Sequence, residues 1–213
     1  MATKTTQKTY TIRELEEKAV IIREHIIDML ERAGSGHSAG PMGLADIFTA
    51  MYFAVLKHDP KNPDWQERDI LILSNGHCVP VRYAAMAEAG YFPKAELKTL
   101  RKLGSRLQGH PERTRLPGLD TTSGPLGCGQ SQGCGMALAM RMDGQMHRHI
   151  YVVMGDGELD EGNVWEAAML APKYGLNNVT AIIDRNNIQI DGPTESVMPL
   201  NDLKEKWEAF GWE

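Results

Sequence analysis

Three short apolar runs set between amphipathic helices predict an α/β domain, a parallel sheet with helices on both faces. The runs are Asp69–Ser74, His149–Met154 and Val179–Asp184. None alternates apolar with polar residues, which is the mark of strands covered on both sides. Glycine supplies a further observation. Twelve of the 21 glycines fall between Gly104 and Gly162, so that window needs tight turns or bare backbone close to a ligand.

The elements follow in order. Thr11-Ile-Arg-Glu14 is a capping box. Behind it Ile12, Leu15, Ala19, Ile22, Ile26, Met29 and Ala33 recur at steps of three and four, one helical face that stops at Gly34. Leu44, Ile47, Phe48, Met51 and Val55 predict a second helix over about 42–56. Asp59-Pro-Lys-Asn-Pro63 is a loop. Further helices are expected over Pro80–Ala89, Lys94–Leu103, Gln130–Met142, Asn163–Tyr174 and Asp202–Phe210, the last with Leu203, Trp207 and Phe210 on one face. Residues 1–10 are polar and rich in Thr and Lys, and read as a flexible tail ahead of one domain over 11–213.

Composition excludes several classes. Charged residues make up 24% and hydrophobic residues 42% of the 213, as in an ordinary folded domain. The net charge of −5 argues against a nucleic-acid partner. No run approaches the roughly 18 apolar residues of a membrane span, and the N-terminal segment lacks the apolar core of a secretory signal. Cys78, Cys128 and Cys134 form an odd set without metal spacing, expected as idle thiols of a cytoplasmic protein.

In a parallel sheet, ligands bind beyond the carboxyl ends of the strands. All three strand ends here are polar: Asn75-Gly76-His77, then Gly155-Asp156-Gly157-Glu158, then Asp184-Arg185-Asn186-Asn187-Ile188. An Asp between two glycines offers one hard oxygen beside amides open to phosphate. Asn186, thirty residues on, offers a second oxygen. Either motif alone reads more readily as a turn. At this spacing, each behind an apolar strand, the pair reads as a site for a divalent cation of the Mg²⁺ or Ca²⁺ kind and a diphosphate. The glycines at 127, 129, 133 and 135 do not fit a dinucleotide fingerprint, and no strand stands directly before them. His37, His77 and His110 each follow a glycine at the close of an element. One such ring is most often structural. Three together offer neutral donors and acceptors for hydroxyls, carbonyls or phosphate.

With these residues assembled, the chain resembles the N-terminal, diphosphate-binding module of transketolase over about 12–211. The resemblance rests on Ser35-Gly-His37 with Pro41-x-Gly43, Leu73-Ser-Asn-Gly-His77, Gly109-His-Pro-Glu112, Thr122-x-Gly-Pro-Leu-Gly127, Gly155-Asp-Gly157 with Glu161-Gly162, and Asn186-x-Ile-x-Ile-Asp-Gly192. It implies the thiamine diphosphate-binding fold and thiamine diphosphate with Mg²⁺ (or Ca²⁺ or Mn²⁺) as cofactors. On that likeness Asp156, Asn186 and the Ile188 carbonyl hold the metal. Gly124, Pro125, Leu126, Gly155, Gly157, Glu158 and His77 join Asp156 and Asn186 around the cofactor. His37 and His110 bind sugar hydroxyls near the reacting carbons. Glu161 and Glu166 match acidic residues near a subunit interface, and Glu161 is counted with His37 and His110 as catalytic.

The implied reaction transfers a two-carbon ketol unit from a ketose phosphate to an aldose phosphate, as in the pentose phosphate pathway. Two departures stand out: Ser38-Ala39 where the family usually has Pro-Gly after His37, and Gln108 where Pro is commoner. The pyrimidine-binding module is not encoded in these residues, and the sequence stops just after Trp212, before the family's diphosphate module usually ends. The expectation is a split enzyme. A C-terminal transketolase subunit with the pyrimidine module would join this chain in an α2β2 heterotetramer. The alternatives are a catalytically incomplete or regulatory paralogue, and a 2-oxoacid dehydrogenase or decarboxylase component.

Overall fold

A computed structural model describes residues 9–213, and the expected tail lies outside the described residues except for its last two positions. Tyr10 is not frayed: its ring meets Phe53 edge-on, with centroids 5.5 Å apart. The chain divides into two units, residues 9–68 with 77–119, and residues 69–76 with 120–213.

The first unit is helical. Helix α1 (Ile12–Ala33) begins on the Thr11–Glu14 capping box and ends on Gly34 at φ +63°. Ala19, Ile22, Ile26 and Met29 are its buried face. It packs on α3 (Ala45–Ala50) and α4 (Val79–Ala89). Full burial of each of its large apolar side chains contributes about 1.5–3 kcal/mol.

The expected helix over 42–56 is broken and starts earlier, with α2 over Ala39–Gly43, then α3, then a π-turn over Met51–Val55. The early start follows from Pro41 in the first turn, where a missing N–H costs nothing. The expected helix over 94–103 is a 3₁₀ turn, Lys94–Thr99, cut off by Leu100 in an extended conformation and by Arg101 at φ +61°.

The second unit carries the sheet. Strands β1 (Ile70–Leu73), β2 (Ile150–Gly155) and β3 (Val179–Asp184) run parallel in the order β1-β2-β3. Asp184 stands opposite Gly155, which brings the polar ends of β2 and β3 together. Helix α5 (Cys128–Met142) lies on one sheet face, with α6 (Gly162–Lys173) packed beside it. The approach is close: a Cβ on Gly133 would stand 2.8 Å from Val152 Cγ2. Ile72, Ile150, Val152, Cys134, Ala137, Val164 and Ala168 form the core there. The opposite face, with Leu71, Leu73 and Val153, is buried too.

Strand β3 departs from the expectation of full burial. Only Val179 is buried and the other five residues are half-covered, whereas β1, at the other end of the order, is buried throughout. The hairpin of β4 (Ile188–Gln189) and β5 (Gly192–Pro193) is an element the apolar pattern does not announce. It leads into the single turn α7 (Thr194–Val197) and then α8 (Leu203–Ala209). Trp207, on α8, lies with Trp165 and Trp212 in an aromatic cluster, with centroid distances of 5.9 and 4.9 Å. No helix among the described residues is long and apolar enough to cross a membrane.

Candidate functional site

In the second unit, Asp156 directly follows β2 and is 1% exposed. Its two oxygens differ. Oδ2 accepts from the Asn187 N–H at 2.7 Å, Arg185 Nη1 at 2.9 Å and Thr194 Oγ1 at 3.1 Å. Among the described residues, Oδ1 accepts only the Gly157 N–H, at 2.9 Å. A lone pair on Oδ1 is therefore left for a ligand. Asn186 is exposed; its Oδ1 accepts the Ile188 N–H at 3.0 Å, and its amide donates to Asp184 Oδ2 at 3.1 Å. A buried carboxylate, a neighbouring amide oxygen and main-chain carbonyls are hard oxygen donors and suit Mg²⁺ or Ca²⁺.

The backbone beside them is bare of necessity. A Cβ on Gly157 would lie 2.9 Å from Gln189 Cβ, and one on Gly76 2.9 Å from the backbone of Ser123. Among the described residues, buried Asn75 Oδ1, at the end of β1, has no hydrogen-bond partner. Residues and backbone thus fit the expected cation and diphosphate. Among the described residues, no group of three or more His, Cys, Asp or Glu side chains could hold a metal. A site using one carboxylate, one amide and a carbonyl needs none.

Glu158, expected among the cofactor-binding residues, turns inward and is 2% exposed. Its Oε1 accepts from Ser74 Oγ and from the Gly127 N–H, the latter at 2.8 Å. Its Oε2 accepts from the Gly155 N–H at 3.2 Å. Ser74 Oγ in turn accepts the Gly129 N–H at 2.9 Å. One carboxylate thus ties the ends of β1 and β2 to the first turn of α5. Burial pushes its pKa up, opposed by the three donors.

The turn Gly124-Pro125-Leu126 before α5 is at least partly open, with Leu126 37% exposed. Gly127 closes it at φ +81°, where an added Cβ would strike Glu161 Cβ at 2.5 Å. Glu161, at the start of α6, and Glu166, in its second turn, are both exposed.

In the first unit the three histidines do converge. The His37 and His77 rings are 5.0 Å apart, edge to face. Burial lowers the pKa of His77 to about 4, with further contributions from the positive charges of His37 and His110. His110 is lowered as well, by burial first and then by His37 and Arg101. At neutral pH, His77 is an uncharged imidazole with one donor and one acceptor nitrogen. Glycines let the segments approach: a Cβ on Gly36 would sit 2.6 Å from Leu30 Cδ2, and one on Gly40 2.5 Å from Cys78 Sγ.

Arg101 joins this group without a sequence signal. A Cβ on Gly109 would lie 2.7 Å from its Nη1, which places the guanidinium beside His110. Its left-handed backbone is one that arginine rarely adopts, so residue type gives no hint of it. The missed partners in the second unit are Ser74, Arg185 and Thr194. Ser74, inside Leu73-Ser-Asn-Gly-His77, and Arg185, inside the third strand-end motif, stand where the pattern points.

A parallel-sheet domain with a buried carboxylate, an amide and glycine backbone at its strand ends has, in class, the donor set that suits a cation and a diphosphate. The model of the transketolase thiamine diphosphate binding domain matches residues 15–213, and the chain belongs to the transketolase family. It is 45% identical over 199 residues to a 6-deoxy-6-sulfo-D-fructose transketolase subunit of Clostridium sp. (strain MSTE9), covering 93% of this chain and 72% of that protein. It is 39% identical over 202 residues to an apulose-4-phosphate transketolase subunit of Phocaeicola vulgatus, covering 95% of this chain and 71% of that protein. Among solved structures, transketolase from Campylobacter jejuni superposes with a TM-score of 0.88 at 37% identity over 96% of this chain. The chain spans 33% of that transketolase.

Proposed function

We propose that this chain is the diphosphate-binding subunit of a thiamine diphosphate-dependent transketolase. It would move a two-carbon ketol unit from a ketose phosphate to an aldose phosphate, and act with a second chain that supplies the pyrimidine-binding module, in an α2β2 assembly. The observation that carries this reading is that one chain holds both a cation–diphosphate donor set at its strand ends and a cluster of three histidines. Relatives named as transketolase subunits, more than two thirds of whose length this chain covers, support the split arrangement.

Thiamine diphosphate, when bound, supplies the carbon nucleophile and electron sink. The chain's own residues bind and orient. Asp156, Asn186 and the Ile188 carbonyl would hold the divalent cation, which would neutralise the charge of the diphosphate. The side-chain-free backbone at Gly155 and Gly157 would lie against the diphosphate, their N–H groups being engaged by Glu158 and Asp156; His77 is a further proposed diphosphate contact, and Gly124, Pro125 and Leu126 would lie against the cofactor. His37 and His110 hydrogen-bond sugar hydroxyls, and the low pKa of His110 keeps it free to accept as well as donate. The Arg101 guanidinium beside them suits the phosphate of a phosphorylated sugar. Glu161 and Glu166, exposed beside the turn and on α6, would meet the partner chain.

The test is ketol transfer from xylulose 5-phosphate to ribose 5-phosphate. The chain is assayed with its pyrimidine-module partner, thiamine diphosphate and Mg²⁺. Asp156→Ala is expected to lower activity by at least about a hundredfold, the loss of a metal ligand. Turnover that survives this substitution, or a correctly paired assembly with no ketol transfer, refutes the proposal.

A further inference from the structure

Asp156 carries a resident cation of its own, and the family signature does not explain it. Arg185 Nη1 stands 2.9 Å from Asp156 Oδ2, and its other arm, Nη2, bonds Glu195 Oε1. Glu195 is itself anchored: its carboxylate accepts from the Leu200 N–H at 3.1 Å and the Asn201 N–H at 3.3 Å. The guanidinium therefore bridges a buried carboxylate on one side and the chain between α7 and α8 on the other. Because Oδ2 already accepts three donors and Oδ1 only one, a metal ion approaches Oδ1 while Arg185 keeps Oδ2.

We infer that Arg185 is a counter-charge that shares Asp156 with the metal, holding the carboxylate when no metal is bound and weakening its grip on the metal when one is. The inference rests on the reading of Asp156 as a metal ligand. Two effects decide its sign. A buried carboxylate without a cation is costly, so the metal-free fold depends on the pair. With the metal present, two positive groups sit on the two oxygens of one carboxylate, only a few ångström apart and partly shielded from water. Their repulsion is then substantial. The orientation that Arg185 gives to Asp156 is duplicated by the Asn187 N–H and Thr194 Oγ1, so its loss removes mainly charge. Glu195 holds the guanidinium in place in both states.

The test uses the full chain and Mn²⁺ as probe, with thiamine diphosphate present. Mn²⁺ affinity is read by electron paramagnetic resonance, and melting temperature is read in chelator and in excess Mn²⁺. Arg185→Met is expected to melt below the parent in chelator and to bind Mn²⁺ at least tenfold more tightly, about 1.4 kcal/mol. The melting gap then narrows in excess Mn²⁺. Arg185→Lys keeps the charge and is expected to stay within about threefold of the parent affinity.

Unchanged or weaker Mn²⁺ binding by Arg185→Met overturns the inference, since a purely structural role predicts that result. Asp156→Asn separates the two readings. If it binds Mn²⁺ as the parent does, Asp156 is not the ligand and the underlying reading fails. If it loses Mn²⁺ while Arg185→Met binds no more tightly, only the inference about Arg185 fails. No Mn²⁺ uptake by any form refutes both.

Discussion

Truncating Glu158 is expected to damage the fold of the cradle without touching an exposed surface. Its carboxylate is 2% exposed and receives the Ser74 hydroxyl, the Gly127 N–H and the Gly155 N–H. In Glu158→Ala the hydroxyl can rotate towards another acceptor, but the two amides are fixed by the first turn of α5 and the end of β2. A buried donor left unpaired costs about 1–3 kcal/mol. Two of them, eased by any water that enters the space, give about 3 kcal/mol. At 213 residues that corresponds to a fall in Tm of about 6–12 °C. Glu158→Gln keeps the oxygen facing Ser74 and Gly127 but points an NH₂ at the Gly155 N–H, and is expected to lose about half as much. The assays are thermal unfolding and amide exchange. Exchange should quicken at Gly127 and Gly155, while exposed Asp160→Ala serves as the control. A Glu158→Ala protein that melts within about 2 °C of the parent, with both amides still protected, would refute the reasoning.

Two further outcomes are expected. His77, held at a pKa of about 4 against 6.5 in the unfolded chain, binds fewer protons folded than unfolded between those values. Its contribution is therefore complete above about pH 6.5 and is lost as pH falls towards 4. The full shift equals ~3 kcal/mol, and solvent screening of a half-buried ring reduces it to about 1–2 kcal/mol. Urea unfolding across that range should show the decline, and His77→Gln should flatten it. Within α5, Gly135 has open space at its Cβ position, whereas a Cβ on Gly133 meets Val152 at 2.8 Å. Gly135→Ala should stabilise by about 0.5–1 kcal/mol, and Gly133→Ala should destabilise by about 1–3 kcal/mol; chemical denaturation of the two variants checks both.

What the sequence makes legible here is local or periodic. The capping box and Gly34 bound α1 correctly, since caps are chemistry within one turn. Apolar runs locate all three strands to within a residue or so. The pairing of Asp156 with the Asn186 segment is legible because adjacent parallel strands end together, Gly155 opposite Asp184. The half-exposure of β3 is not legible in its apolar run, because how far a strand's faces are covered depends on what packs on them from distant positions. Nor is the inward turn of Glu158: its partner Ser74 lies 84 positions away. Thr194, 38 positions from Asp156, likewise has no motif to announce it. The β4–β5 hairpin turns through Ile190-Asp191, not a common two-residue turn pair, and its strands are two residues each, too short to show any periodicity.

The aromatic cluster around α8 bears on how this protein can be watched. Of the four tryptophans, Trp165, Trp207 and Trp212 gather in the second unit, while Trp65 belongs to the first. Trp207 and Trp212 lie 4.9 Å apart with their rings at 88°. Three of the four indoles lie there, so intrinsic emission is weighted towards the second unit and its change on heating reports the dissolution of that cluster. Replacing Trp65 with Phe would leave a chain whose tryptophan fluorescence speaks for the second unit alone.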